Sequence, residues 1–129
     1  MSYYITKKVK KSFEETITIV TEELKKEGFG VLTEIDVKET LKKKLDVDYK
    51  KYKILGACNP LLAHQALNAE SEIGVLLPCN VCVYEEEEGS SVVSAIDPKR
   101  MFSVVERSDL VPIANEVSEK IHRVIDNIR

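Results

Sequence analysis

The stretch CNVCVYEEEEGSSVVSAI, residues 79–96, holds two β-favouring runs, one from about Pro78 through Tyr84 and a return run from Ser91 to Ile96. Between them lie Glu85 to Glu88 and the turn formers Gly89 and Ser90, so the stretch reads as a hairpin. Strands joined this closely are antiparallel, because a parallel pair needs a crossover of a dozen residues or more. Working outward, Asp97-Pro98 sets a capping residue before a helix-starting proline, predicting a turn or two of helix through Val105. Leu110, Ile113, Val117, Ile121, Val124 and Ile128 then recur at helical spacing, one apolar stripe on a long final helix.

Upstream, strand and helix signals alternate. Tyr3 to Val9 reads as a strand, and Ser12 with Glu15 opens a helix as a capping box. That helix carries Phe13, Ile17, Val20 and Leu24 on one face and stops at Gly28. Gly30 to Ile35 is a second strand, and Asp36 caps a short basic helix containing Val37, Leu41 and Leu45. Tyr52 to Cys58 is a third strand, and Asn59-Pro60 starts a helix over Leu61 to Ala69. From Val75 the chain turns apolar again on its way into the hairpin. Single apolar stripes on the helices, with two adjacent final strands, predict an α+β two-layer domain with an antiparallel or mixed sheet and helices on one face. A doubly wound parallel sheet is the alternative, but no Gly-rich phosphate loop follows any strand.

Length and charge bound the function. The 129 residues suit one domain, 1–129, with its own core. A net charge of −3, from 19 basic and 22 acidic residues, argues against gripping nucleic acid through the overall field. The charge is nonetheless segregated: Lys38 to Lys53 holds seven lysines against three acids, and Glu70 to Glu88 holds six glutamates and no base. Such a surface can pair with another copy or stay solvated. Met1 to Lys11 has no apolar signal core, and no apolar run approaches the ~20 residues of a membrane helix, so a cytoplasmic chain off the membrane is expected. In that reducing compartment the three cysteines are thiols and not a disulfide framework.

Cys58 and Cys79 are the leading candidates for chemistry. Each is followed by Asn, giving Cys58, Asn59, Cys79 and Asn80 as candidate ligand-binding residues. Cys58 precedes a helix start, where the dipole favours an anion and lowers a thiol pKa. Should the third strand neighbour the hairpin, Cys58 and Cys79 approach each other, and His64 on the following helix completes a candidate zinc set. The alternative is that the thiols pack as small hydrophobes. Cys79 and Cys82 have C-x-x-C spacing, but a strand's period of two turns them to opposite faces, with Val81 and Val83 beside Cys79 and Tyr84 beside Cys82. No Walker loop, G-x-S-x-G or H-E-x-x-H is found, and nothing selects a catalytic set. Three functions remain open: a non-catalytic module for a small anion or thiophilic metal, a thiol enzyme or redox sensor using Cys58, and a structural interaction protein.

Leu55-Gly56-Ala57-Cys58-Asn59-Pro60, with Leu76 to Glu85 about 20 residues on, resembles the prokaryotic family catalogued as domain of unknown function 302. Gly28-Phe29 before Glu34-Ile35-Asp36 is also similar to that family's second strand. The resemblance implies a curved, mostly antiparallel sheet of about five strands backed by helices in the TATA-binding-protein-like arrangement. It implies a homodimer, and no activity. Asn59, Pro60, Leu77 and Pro78 match positions shared across the family's branches, whereas the cysteines look like the property of one branch. Many members carry His after the Ile-Asp pair, where this chain has Val37, so a metal site built on that histidine is in doubt here.

Overall fold

A computed structural model describes residues 2–129; Met1 lies outside the described residues. Strands β1 (Tyr4–Val9), β2 (Gly30–Asp36), β3 (Tyr52–Cys58), β4 (Cys79–Glu87) and β5 (Ser90–Ile96) form one sheet in the order β1-β5-β4-β3-β2, every neighbouring pair antiparallel. Helices α1 (Phe13–Lys26), α2 (Val37–Leu45), α3 (Pro60–Ala69), α4 (Pro98–Ser103) and α5 (Val111–Asn127) complete the α+β fold. The doubly wound parallel alternative is thereby excluded.

Cross-strand register shows which face is covered. Ile5, Ala95, Val81 and Leu55 stand side by side across four strands and pack into the core beneath α1 and α5. One residue along, Thr6, Ser94, Cys82, Ile54 and Ile35 line up across all five strands on the opposite face. That second face includes exposed Thr6 and Ile35. The stripe on α1 buries Phe13, Thr16, Val20 and Leu24, and that on α5 buries Val117, Ile121, Val124 and Ile125. Thr16 was absent from the expected stripe; its hydroxyl donates to the Ser12 carbonyl at 2.7 Å, which satisfies it inside the core.

Local start and stop signals act as their chemistry demands. Ser12 Oγ accepts from the Glu15 N–H at 3.1 Å. Gly28, at φ +84°, ends α1 with the Gly28 N–H on the Lys25 carbonyl and the Phe29 N–H on the Leu24 carbonyl. Asp36 and Asp97 cap α2 and α4 through the N–H groups of Glu39 and Lys99.

β4 starts at Cys79, beside the expected Pro78, and the segment before it, Ser71–Leu76, is a 3₁₀ turn anchored by buried Ile73, with Val75 83% exposed. The far end of the strand differs from expectation. Most of the acidic run lies in β4, which reaches Glu87 before a turn at Glu88 and Gly89 (φ +79°). An irregularity between Glu85 and Glu87 accommodates the extra residue.

Gly56 has no room for a side chain. A Cβ there would collide with the Thr33 hydroxyl and come within 2.7 Å of Pro78 Cγ. Gly56→Ala should therefore destabilise the fold by about 1–3 kcal/mol, the usual cost of overpacking. Urea unfolding checks this, and adding Thr33→Ala should recover part of the loss.

Candidate functional site

A cavity of about 270 Å³ opens where the end of β3 meets the start of β4. The register pairs Ala57 with Cys79, so residues 22 positions apart in sequence become cross-strand neighbours. Cys58 and Cys79 both line the cavity, together with Thr33 of β2, Leu62 and Ala63 of α3, Phe102 of α4 and Val117 of α5. Phe29, Leu77 and Pro78 close it from the connecting segments. Apart from the Thr33 hydroxyl, the Asn59 amide and the two thiols, these side chains are apolar.

Asn59 holds the rim together. Its Oδ1 accepts from the Leu62 N–H at 3.3 Å, capping α3. Its Nδ2 donates to the Glu27 carbonyl at 3.3 Å, tying the start of α3 to the end of α1. Gly28 makes room for this tie, since a Cβ there would stand 3.1 Å from Nδ2. Every hydrogen-bonding role visible for the Asn59 side chain is thus structural.

Of the expected site residues, the cavity gathers Cys58, Asn59 and Cys79 but not Asn80 or His64. Asn80 pairs with Gly56, is exposed, and points to the uncovered sheet face. On α3 the buried positions are Leu62 and Ala66, which turns His64 outward, where it contacts Asn68 at 3.3 Å. Among the described residues, no group of three or more His, Cys, Asp or Glu side chains is arranged to hold a metal ion. The thiols also differ from the expectation of a lowered pKa. Burial pushes the Cys58 thiol up, and burial followed by the proximity of Cys58 pushes Cys79 up to about 12. Desolvation is the main cause at both thiols. Cys82 faces the other way, as its strand position predicts, and its contact with Tyr52 followed by burial raises that phenol.

The segregated charges pair only in part within the chain. Lys42 meets Asp46 at 2.9 Å, Lys43 meets Glu39 at 2.8 Å and Lys51 reaches Glu14 at 2.7 Å. Glu70 pairs with Arg107 at 3.2 Å, and Glu86 with Lys8 at 3.4 Å. All are solvated pairs that contribute little stability each.

Comparison with known families adds one finding that covers nearly the whole chain. The model for "Domain of unknown function DUF302" matches residues 5–128. The chain belongs to the DUF302 family. It is also similar to the crystal structure of an uncharacterized conserved protein DUF302 from Bacillus stearothermophilus, with 32% identity over 100% of both chains and a TM-score of 0.90. No curated protein matches it. As in the expectation drawn from the DUF302 resemblance, the fold is α+β with a five-stranded antiparallel sheet. Among the described residues no helix is long and apolar enough to cross a membrane.

The pocket residues that sequence reasoning missed include Thr33, Phe102 and Val117, which lie on three separate elements. Pro78 was legible as the start of the hairpin's first strand, while Phe29 and Leu77 were visible only as points of family resemblance. Two measurements test the site as built. Asn59→Ala should lose about 1–2 kcal/mol by denaturant unfolding, because both a helix cap and the tie to Glu27 disappear. Neutral thiols predict slow alkylation by iodoacetamide at pH 7, slower in the folded chain than in urea, with the gap persisting well above pH 9 at Cys79. The linkage has the matching sign: the folded chain keeps the Cys79 proton that the unfolded chain releases, so this contribution to stability is full below about pH 9 and is lost as pH rises toward 12. Cys79→Ala should flatten that alkaline decline.

Proposed function

We propose that this DUF302 protein is a non-catalytic binding module, a cytoplasmic homodimer whose ligand site is the apolar pocket shared by Cys58 and Cys79. One observation carries the reading: two thiols from strands remote in sequence line a single cavity of about 270 Å³ whose other walls are apolar. Such a lining favours a soft, weakly hydrated ligand over a small anion. An anion at a helix start needs free N–H donors. Pro60 has none, and the Leu62 N–H is already taken by Asn59. A thiol enzyme or redox sensor using Cys58 has less support, because burial disfavours the nucleophilic thiolate.

The homodimer draws its support from the aromatic residues. All three phenylalanines, Phe13, Phe29 and Phe102, are buried in the core. Four of the five tyrosines, Tyr3, Tyr4, Tyr52 and Tyr84, border a shallow concavity on the uncovered sheet face, and Tyr49 packs against Tyr52 with ring centres 6.4 Å apart. Tyrosine combines an apolar ring with a polar tip and is favoured where two surfaces meet and part.

The test is thermal unfolding of the reduced protein with one equivalent of Cu(I), Zn(II) or Cd(II). At least one ion should raise Tm, with a stabilisation of about 2.7 kcal/mol when it is present at 100 times its Kd. The shift should vanish in Cys58→Ser and Cys79→Ser. No shift with any of the three ions would sink the thiol-pocket reading. For the dimer, sedimentation equilibrium should give twice the chain mass at about 0.02 M and about 0.5 M salt alike, a range over which the Debye length shortens about fivefold; a mass that falls with salt would favour pairing through the segregated charges instead.

A further inference from the structure

We propose that the cavity at the junction of β3 and β4 takes an uncharged, largely apolar organic molecule the size of a bicyclic aromatic, and that Cys58 and Cys79 serve there as wall and not as donors. The inference rests on the reading of this cavity as the ligand site and names the class of molecule that enters it. It follows from the lining, the size and the mouth of the cavity.

None of the thirteen lining residues is Lys, Arg, His, Asp or Glu. An ionised ligand would therefore give up its hydration without gaining a partner charge, a large cost in an apolar site. The polar groups present do not repair this. Asn59 is engaged at both ends of its amide, by the Leu62 N–H and the Glu27 carbonyl, and burial keeps the two thiols protonated. Water is poorly served for the same reason, since a held water needs about two to four polar partners. An apolar molecule gains by displacing water that is held so loosely.

Depth and size narrow the class. The inner wall belongs to the core: Phe29, Ala57, Leu62, Phe102 and Val117 are each no more than 5% exposed. The volume of about 270 Å³ is nearly twice the roughly 150 Å³ of an engineered apolar cavity that binds benzene. Two of the three phenylalanines stand in this wall, and their rings favour a planar aromatic guest.

The mouth points the same way. Along β2 the pairing with β3 passes from Val31 opposite Ala57 to Thr33 opposite Gly56 and skips Leu32. Irregularities of this kind re-aim a side chain beside a site. Leu32 lines the cavity and is nonetheless 68% exposed, so a large apolar side chain stands in water at the entrance until an occupant covers it. Thr33 beside it offers a hydroxyl, which suits a ligand with one polar atom at its outer end. Leu61 of α3, equally exposed, has no part in the lining and provides the contrast.

The experiment is a two-dimensional amide NMR titration of the reduced full chain with 1-naphthol, an uncharged probe carrying one hydroxyl, and with 1-naphthoate, an anion on the same ring system. Saturable binding of one 1-naphthol per chain is expected, with the largest shifts at Phe29, Ala57 and Val117 and an affinity at least about tenfold above that for 1-naphthoate. Ala63→Phe, at a half-buried position of the lining, should fill the mouth and abolish binding. Leu32→Ser should weaken it, whereas Leu61→Ser and Cys58→Ala should leave it close to that of the unaltered chain. Ala63→Leu replaces Ala63→Phe if circular dichroism reports that the phenylalanine variant is unfolded. The proposal is overturned by 1-naphthoate binding as tightly as 1-naphthol, by 1-naphthol binding that survives the Ala63 substitution, or by its loss in Cys58→Ala. Binding of 1-naphthol with no effect of any thiophilic ion supports it, with the thiols as wall. No binding of 1-naphthol beside a Cys58-dependent stabilisation by such an ion overturns it and leaves the cavity standing as a ligand site, whereas failure of both probes removes both.

Discussion

The pairing of Ala57 with Cys79 is the constraint on which the rest of the molecule depends. It sets β4 against β3 in a register that sends Cys79, Val81 and Val83 into the core and Asn80, Cys82 and Tyr84 to the uncovered face. A slip of one residue would reverse both sets. Val81 and Val83 would leave the core at about 1.5–3 kcal/mol each, and the Asn80 amide would enter it without a partner. The same pairing carries the site, because it brings the end of β3, with Cys58, to the start of β4, with Cys79, at one cavity. Fold and site are fixed by one alignment of two strands, and a change that loosened it would act on both together.

Asn59 and Gly56 then convert that alignment into a defined pocket. Asn59 joins the end of α1 to the start of α3 through the Glu27 carbonyl and the Leu62 N–H. Gly56 lets Thr33 and Pro78 close over the sheet where any side chain would hold them apart. These residues act by geometry rather than chemistry, which is why a motif search for catalytic groups passes over them. Asn59, Leu77 and Pro78 line this cavity and Pro60 flanks it, so its frame is set by the helix start and the approach to β4.

The elements themselves were legible in the sequence because their signals are local. Ser12, Asp36, Asn59 and Asp97 each accept from an N–H two or three residues on, and Gly28 ends α1, so the helix boundaries need no tertiary information. The entry to β4 at Cys79 lies beside the expected Pro78, but the 3₁₀ turn before it, anchored by buried Ile73, carries no local signal of its own. Within the site, the approach of Cys58 to Cys79 was anticipated on condition that β3 neighbours the hairpin, which strand order alone decides. The orientation of His64 could have been read from α3, since Leu62 and Ala66 are one helical turn apart and His64 lies nearly opposite them. Thr33, Phe102 and Val117 could not, because their convergence depends on how three elements pack.

The sign of the thiol shift carries the most physical content. A helix start next to Cys58 favours negative charge, and considered alone it argues for a reactive thiolate. The cavity supplies the opposing effect: burial raises both thiols, and Cys79 is the more deeply buried of the two. In the pocket the same walls therefore keep both thiols protonated near neutral pH and hold down their reactivity.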